Sequence, residues 1–293
     1  MGKPRIALIV GILGISIFPV LIKLGYSSGL ISAFYRMAIA FVVLFPIVVW
    51  RGKFQWPPRK MLLLAVLSGI LFGSDVSVWN IAIQESTATQ ASLLTNLSPI
   101  WVGMATFFFL KNKPTRNFWI GTAVALAGMV IIVGFRFFTQ LQFDRAFLFG
   151  LLSGVFYAAY IMVSKAVVER TDITTFMLIN LLSSSIFLGI VNSWAGEAFY
   201  GFHNKAWFIL VVQAVVCQLM AWLALSYALR HIRATRVSLS LLSQAFITAL
   251  LAWVFLNETI TVQMVVGGMV LLLGIGITFV NGPLALPKRM YNK

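Results

Sequence analysis

The chain has 293 residues, 60% of them hydrophobic and only 10% charged, and its mean hydropathy is +0.96. So little polar surface excludes a soluble globule of this size, and the net charge of +15 must find its place on a molecule that largely avoids water. Hydropathy divides the sequence into ten apolar stretches of roughly 18–23 residues, each able to cross about 30 Å of hydrocarbon as a helix.

Span 1 (5–25) follows Lys3 and Arg5 in the manner of a secretory signal. No small-x-small cleavage site follows and nine further spans do, so it is read as an uncleaved membrane helix. It holds Pro19 and ends near Lys23. Span 2 (31–50) carries Arg36 about 8 Å from its start, at 1.5 Å per residue. Span 3 (61–83) carries Asp75 about 21 Å along it, in "LSGILFGSDVSVWNIAIQ". An ionised Asp in mid-span costs at least about 2.5–3.5 kcal/mol on insertion scales. Alternating directions bring Lys23, Arg36 and Asp75 to one layer, so the sequence predicts an ion pair that lowers the cost of burying each charge. Phe72, Asp75 and Trp79 share one helix face. Gly69 and Gly73 have the spacing of close helix packing. Span 4 (88–110) sets Thr95, Asn96 and Ser98 directly before Pro99, which lacks an N–H and frees a carbonyl, so polar groups there can face a cavity. Span 5 (118–135) closes the first half.

Span 6 (146–166) has Gly150 and Gly154 at packing spacing, then Tyr157, Tyr160 and the terminal Lys165. Span 7 (175–193) carries no intramembrane charge. Span 8 (207–229) holds Cys217, with Gln218 and Trp222 four residues apart on one face. Span 9 (234–256) contributes Gln244, and span 10 (262–282) precedes a basic tail, 283–293. Trp50, Trp119 and Trp207 stand at span ends and read as interfacial anchors.

With the N-terminus inside, seventeen Lys/Arg fall on the inner side and three on the outer. That bias orients the chain with both termini cytoplasmic and accounts for the charge without nucleic acid. Cys217 is the single cysteine and lies in a span, so no intrachain disulfide can form. His203 and His231 fall in predicted loops, and with one thiol and one mid-span carboxylate they make too thin a ligand set for a metal. HExxH, phosphate-loop and GxSxG patterns are absent, so no catalytic residue, metal or cofactor is assigned.

An internal repeat decides the architecture. "ATQASLLTNLSPIWVGMATFFFLKNKPTRNFWIGTAVALAG" (88–128) aligns with "ATRVSLSLLSQAFITALLAWVFLNETITVQMVVGGMVLLLG" (234–274) at a constant offset, with Thr115/Thr261, Gly121/Gly267 and Gly128/Gly274 among the identical pairs. Lys23 and Lys165 form a looser echo. The halves are 1–136 and 146–282, five spans each, and an odd-numbered unit duplicated in tandem is inserted with opposite topology. The expected fold is an all-α integral membrane protein of ten transmembrane helices in two five-helix inverted repeats.

"TATQASLLTNLSPIWVGMATFFFLKNKPT" and "ATRVSLSLLSQAFITALLAWVFLNETIT" resemble the fourth and ninth spans of the drug/metabolite transporter superfamily, specifically its ten-helix bacterial members with two EamA domains. The resemblance covers nearly the whole chain. It implies a central cavity lined mainly by spans 1, 3, 4, 6, 8 and 9, residence in the bacterial inner membrane, and export of a small metabolite by alternating access. One departure stands out: read against Gln244, one residue short of the constant offset, Pro99 has no proline as its counterpart in the second copy, so spans 4 and 9 are not expected to hinge alike. The candidate substrate-binding residues are Lys23, Arg36, Asp75, Trp79, Asn96, Ser98, Tyr157, Gln218, Trp222 and Gln244. Fixed positive charge, amides and aromatic walls suit an amino acid or related zwitterion or carboxylate. The alternatives are uptake or exchange of a nucleoside-like or sulfonium metabolite stacked on Trp79 or Trp222 and, from another class, a membrane-embedded enzyme. Protons are a candidate coupling ion, and a monomer suffices to build such a cavity.

Overall fold

The computed structural model describes residues 2–24, 26–52, 54–85, 94–110, 113–134 and 144–280, the side chains of Lys23, Ile83 and Gln84 excepted. Every regular element among them is helical: α1 (Lys3–Lys23), α2 (Gly29–Trp50), α3 (Arg59–Glu85), α4 (Ser98–Phe109), α5 (Arg116–Val133), α6 (Arg145–Val168), α7 (Ile173–Trp194), α8 (Asn204–His231), α9 (Ala234–Leu256) and α10 (Val262–Phe279). Nine of these are long and apolar enough to cross a membrane. The shorter α4 is the described part of span 4, whose predicted start at 88–93 lies outside the described residues. The protein is a multi-pass membrane protein.

Polar residues at the predicted boundaries start the helices by accepting otherwise orphaned N–H groups. Ser28 accepts from Ile31, Asp144 from Phe147, and Asp172 from Thr174 and Thr175. The repeat mates Thr115 and Thr261 make the same cap, accepting from Phe118 and Met264 at 3.2 Å each. His203, expected in a loop, caps α8, and His231, also expected in a loop, belongs to the last turn of α8. Asn257 ends α9 in the left-handed region at φ 53°, a conformation that Asn tolerates better than most residues.

The halves face each other across a pseudo-twofold arrangement. α3 packs on α6 and its counterpart α8 packs on α1, while α2 meets α7 and α5 meets α10. The α5–α10 seam shows the inversion residue by residue. A Cβ on Gly121 would lie 2.5 Å from the Gly274 carbonyl oxygen, and one on Gly274 would lie 2.6 Å from that of Gly121. Gly128 and Gly267 oppose each other in the same way, at 2.6 and 2.7 Å. Each glycine thus meets the repeat mate of the other, the reciprocal contact that a twofold axis demands. Only glycine lets the two backbones touch, and without a hydrophobic drive inside lipid such close packing is what holds helices together.

Spans 4 and 9 are both interrupted, a likeness not expected from Gln244. Regular α-helix lapses at Asn96 and Leu97 in the first half and at Leu242 in the second. Leu97 N bonds Leu94 O at 3.1 Å and Ile100 N bonds Leu97 O at 2.9 Å; Leu242 to Leu239 and Ala245 to Leu242 repeat the pattern at 3.1 Å each. These three-residue closures follow the Leu97-Ser98-Pro99 against Leu242-Ser243-Gln244 register. That is one residue shorter than the offset of the flanking helices, under which Pro99 would pair with Ala245. Where α4 uses proline, α9 uses serines. Ser240 and Ser243 hydroxyls donate to the Arg236 and Ser240 carbonyls at 2.8 and 2.7 Å, competing for helical acceptors.

Candidate functional site

Between the halves lies a cavity of about 430 Å³. Eight of the ten candidates line it: Arg36, Asp75, Trp79, Asn96, Ser98, Tyr157, Trp222 and Gln244. Phe72 joins Asp75 and Trp79 on the wall, as the helical spacing requires. Gln218 does not line it; its side chain is buried in a wide, π-type stretch of α8 (Gln213–Met220), and its carbonyl oxygen has no hydrogen-bond partner. The side chain of Lys23 lies outside the described residues. The wall also includes α2, through Arg36, and α5, through Met129, Ile132 and Val133, beyond the six spans that the resemblance implied.

The predicted ion pair between Arg36 and Asp75 is not formed. No salt bridge joins them among the described residues; each has its own partner. The Arg36 guanidinium lies over the Phe18 ring, 4.0 Å from its centroid, and 5.8 Å from that of Phe72. A desolvated cation on an aromatic face gains about 2 kcal/mol, which offsets part of its burial. Arg36 is 6% exposed, its Nε has no hydrogen-bond partner, and no described side chain or carbonyl accepts from its guanidinium. Nε is thus enclosed without an acceptor, and the terminal Nη groups have none among the described residues.

Asp75, 7% exposed, accepts a 2.5 Å hydrogen bond from Ser153 Oγ on α6. Ser153 Oγ lies 2.9 Å from Oγ1 of Thr95, the last residue before the break in span 4. Ser153 Oγ donates to the carboxylate, and its contact with Thr95 extends the hydrogen-bonded set to the hydroxyl beside the break. This set crosses from span 4 through the second half at α6 to α3. Gly154 permits the approach: a Cβ there would lie 3.1 and 3.2 Å from the Leu94 and Thr95 carbonyl oxygens. The usual helical donor to the Thr95 carbonyl would be residue 99, a proline without an N–H. Sequence reasoning missed Phe18 and Ser153. Ser153 stands one helical turn before Tyr157, a spacing that could have found it; no spacing points across helices to Phe18.

The aromatic wall is a connected set. Ring centroids of Phe72 and Trp222 are 5.1 Å apart, those of Tyr160 and Trp222 5.3 Å, and those of Phe72 and Tyr160 4.9 Å. Tyr157 stacks beyond them, 6.3 Å from Tyr160. Among the described residues no three His, Cys, Asp or Glu side chains are grouped to hold a metal ion.

A cavity between inverted helical halves, lined among the described residues by a guanidinium, a carboxylate and aromatic rings, defines a membrane carrier of small molecules. The chain belongs to the EamA-like transporter family, whose pattern matches residues 3–134 and again 144–280. It is 26% identical over 256 residues to an uncharacterized transporter of Archaeoglobus fulgidus, covering 84% of this chain and 86% of the relative. An uncharacterized transporter of Bacillus subtilis is 22% identical, covering 85% and 81%. An S-adenosylmethionine uptake transporter of Rickettsia bellii is 21% identical over 154 residues, 53% of this chain and 52% of the relative. A solved crystal structure shares the fold with a TM-score of 0.80 at 14% identity, covering 94% of this chain and 96% of that one.

Proposed function

We propose that the protein is a secondary carrier that exports a small zwitterionic or carboxylate-bearing metabolite, an amino acid or close relative, by alternating access across the bacterial inner membrane, with both termini cytoplasmic. The observation that carries this reading is Arg36: a buried guanidinium on a cavity wall, held by an aromatic face and, among the described residues, by no acceptor. Its planar fork matches a carboxylate in two-point contact. Asp75, on the same wall, receives the ammonium of a zwitterion or a coupling proton, and Trp79, Tyr157 and Trp222 pack the remainder of the solute.

A second reading has its own support. S-adenosylmethionine carries an amino-acid head, a sulfonium and a purine, and the aromatic wall offers faces for both the cation and the base. The Rickettsia relative favours this substrate class. Counterflow of radiolabelled amino acids and S-adenosylmethionine in proteoliposomes tests both readings. Saturable exchange of an amino acid that Arg36→Gln abolishes supports the first; exchange confined to the sulfonium compound replaces it with the second. The absence of saturable exchange for any carboxylate solute would overturn both.

A further inference from the structure

A second polar cluster lies away from the cavity, at the end of the bundle that carries the basic loops. Phe279, at the end of α10, stands between two arginines: Arg5 of α1 lies 5.6 Å from its ring centroid and Arg236 of α9 lies 5.4 Å from it. Arg233, at the N-cap of α9, stands one turn before Arg236, and Arg5 and Arg233 are the charges that repel it. No described carboxylate pairs with Arg5 or Arg233. Three cations thus converge where three helices from both halves meet.

Two further observations bear on the ligand, the first pointing to an anion and the second to an apolar tail. The N-terminus of a helix carries partial positive charge and favours anions, yet α9 begins with arginines, has no acidic residue in its first turn and no side-chain cap. A negative group there would meet the guanidinium groups, the helix dipole and the uncapped N–H groups together. The surface leading away from the cluster into the membrane is apolar: Ile6, Ile9 and Leu13 on α1 and Leu272 on α10 are exposed. One turn before Phe279, Gly276 has no atom within 4 Å of where its Cβ would be, which leaves a notch in that wall.

We propose that the Arg5–Phe279–Arg236 cluster, with Arg233, binds the phosphate headgroup of an anionic phospholipid whose acyl chain lies along α1 and α10 over Gly276. A soluble phosphate could satisfy the charges, but it would leave the adjoining apolar wall and notch unused. Neither the cavity nor the transport cycle is needed for this inference, so it stands or falls apart from the proposed function.

The test uses the full chain, delipidated in neutral detergent and titrated with phosphatidylglycerol or phosphatidylcholine while melting temperature and lipid adducts in native mass spectrometry are followed. Phosphatidylglycerol should stabilise the wild type more than phosphatidylcholine does. Arg5→Gln with Arg233→Gln, both exposed side chains, should weaken phosphatidylglycerol binding by about fivefold per arginine without changing the response to phosphatidylcholine. Gly276→Leu, which fills the notch and leaves every charge, should weaken it as well. Equal weakening by the control pair Arg59→Gln and Lys60→Gln would overturn the site in favour of bulk surface charge. Equal stabilisation by inorganic pyrophosphate would replace the lipid with a soluble anion.

Discussion

The α5–α10 seam and the paired breaks in spans 4 and 9 are built from the same duplicated sequence, yet they use its symmetry in opposite ways. At the seam, four glycines repeat in register and each meets the repeat mate of another, so both halves have to remain identical there. At the breaks the backbone pattern is shared but the chemistry is not: Pro99 opens α4, serine hydroxyls loosen α9, and only span 4 joins a hydrogen-bond chain to a carboxylate. Symmetry persists where backbones touch and any side chain would clash. It lapses where polar side chains face the cavity, because a solute with a distinct head and tail is recognised by unlike walls.

The sharpest way to break this comparison is at the seam. Gly128→Leu should bring the largest effect, loss of monodisperse protein on size-exclusion chromatography, since its side chain would meet the Gly267 carbonyl and the Leu271 backbone. A folded, well-behaved Gly128→Leu protein would show that the seam tolerates divergence and is not the fixed axis.

At the cavity the effects should fall on transport before stability. Arg36→Gln should reduce flux at least about tenfold, the equivalent of one charge-assisted hydrogen bond at 1.4 kcal/mol per decade. Arg36→Lys should not rescue it, because an ammonium cannot reproduce the planar fork. Normal flux in either variant would remove Arg36 from the site.

The hydrogen-bond chain gives the next largest change. Ser153→Ala should lower stability by about 1.5–3 kcal/mol, the range for a hydrogen bond to a charged group, and Ser153→Thr should recover part of it. A double-mutant cycle of Asp75→Asn with Arg36→Gln separates this from an ion pair. Its coupling in melting free energy should stay below about 1 kcal/mol, whereas Asp75→Asn with Ser153→Ala should couple above that value. The reverse order would restore the ion pair that the sequence suggests.

The smallest effect concerns the α7 cap, away from both regions. Burial raises the Asp172 carboxyl, but donation from the Thr174 hydroxyl and from the Thr175 and Thr174 amides outweighs it, so the group lies below its usual range. A depressed folded value means that its stabilisation is complete above about pH 4, the unfolded value, and is lost as pH falls through the lower folded value. Asp172→Asn should therefore flatten the acid end of the melting profile by under about 1 kcal/mol, since the site is largely exposed. An unchanged acid limb would show that the cap contributes nothing.

What the sequence determines by itself here is what depends on composition, period and duplication. Ten apolar runs set the spans, because helices are the only way this chain can satisfy its backbone in lipid. Hydropathy placed the helix starts within a few residues, and the matched glycines marked the repeat; that Asp144, Asp172 and Thr261 cap those starts came only from the structure. The wall bearing Phe72, Asp75 and Trp79 was legible for the same reason: all three lie on one helix, where spacing is geometry. Which helix faces which was not. That Arg36 lies on Phe18 rather than on Asp75, that Ser153 takes the carboxylate, that Gln218 turns away and that α9 breaks without a proline are all decided by packing between helices. Depth in the membrane follows from counting residues, but which faces meet does not: α5 and α6 turn toward their neighbours through the close approaches at Gly121, Gly128 and Gly154, and only the tertiary structure contains those.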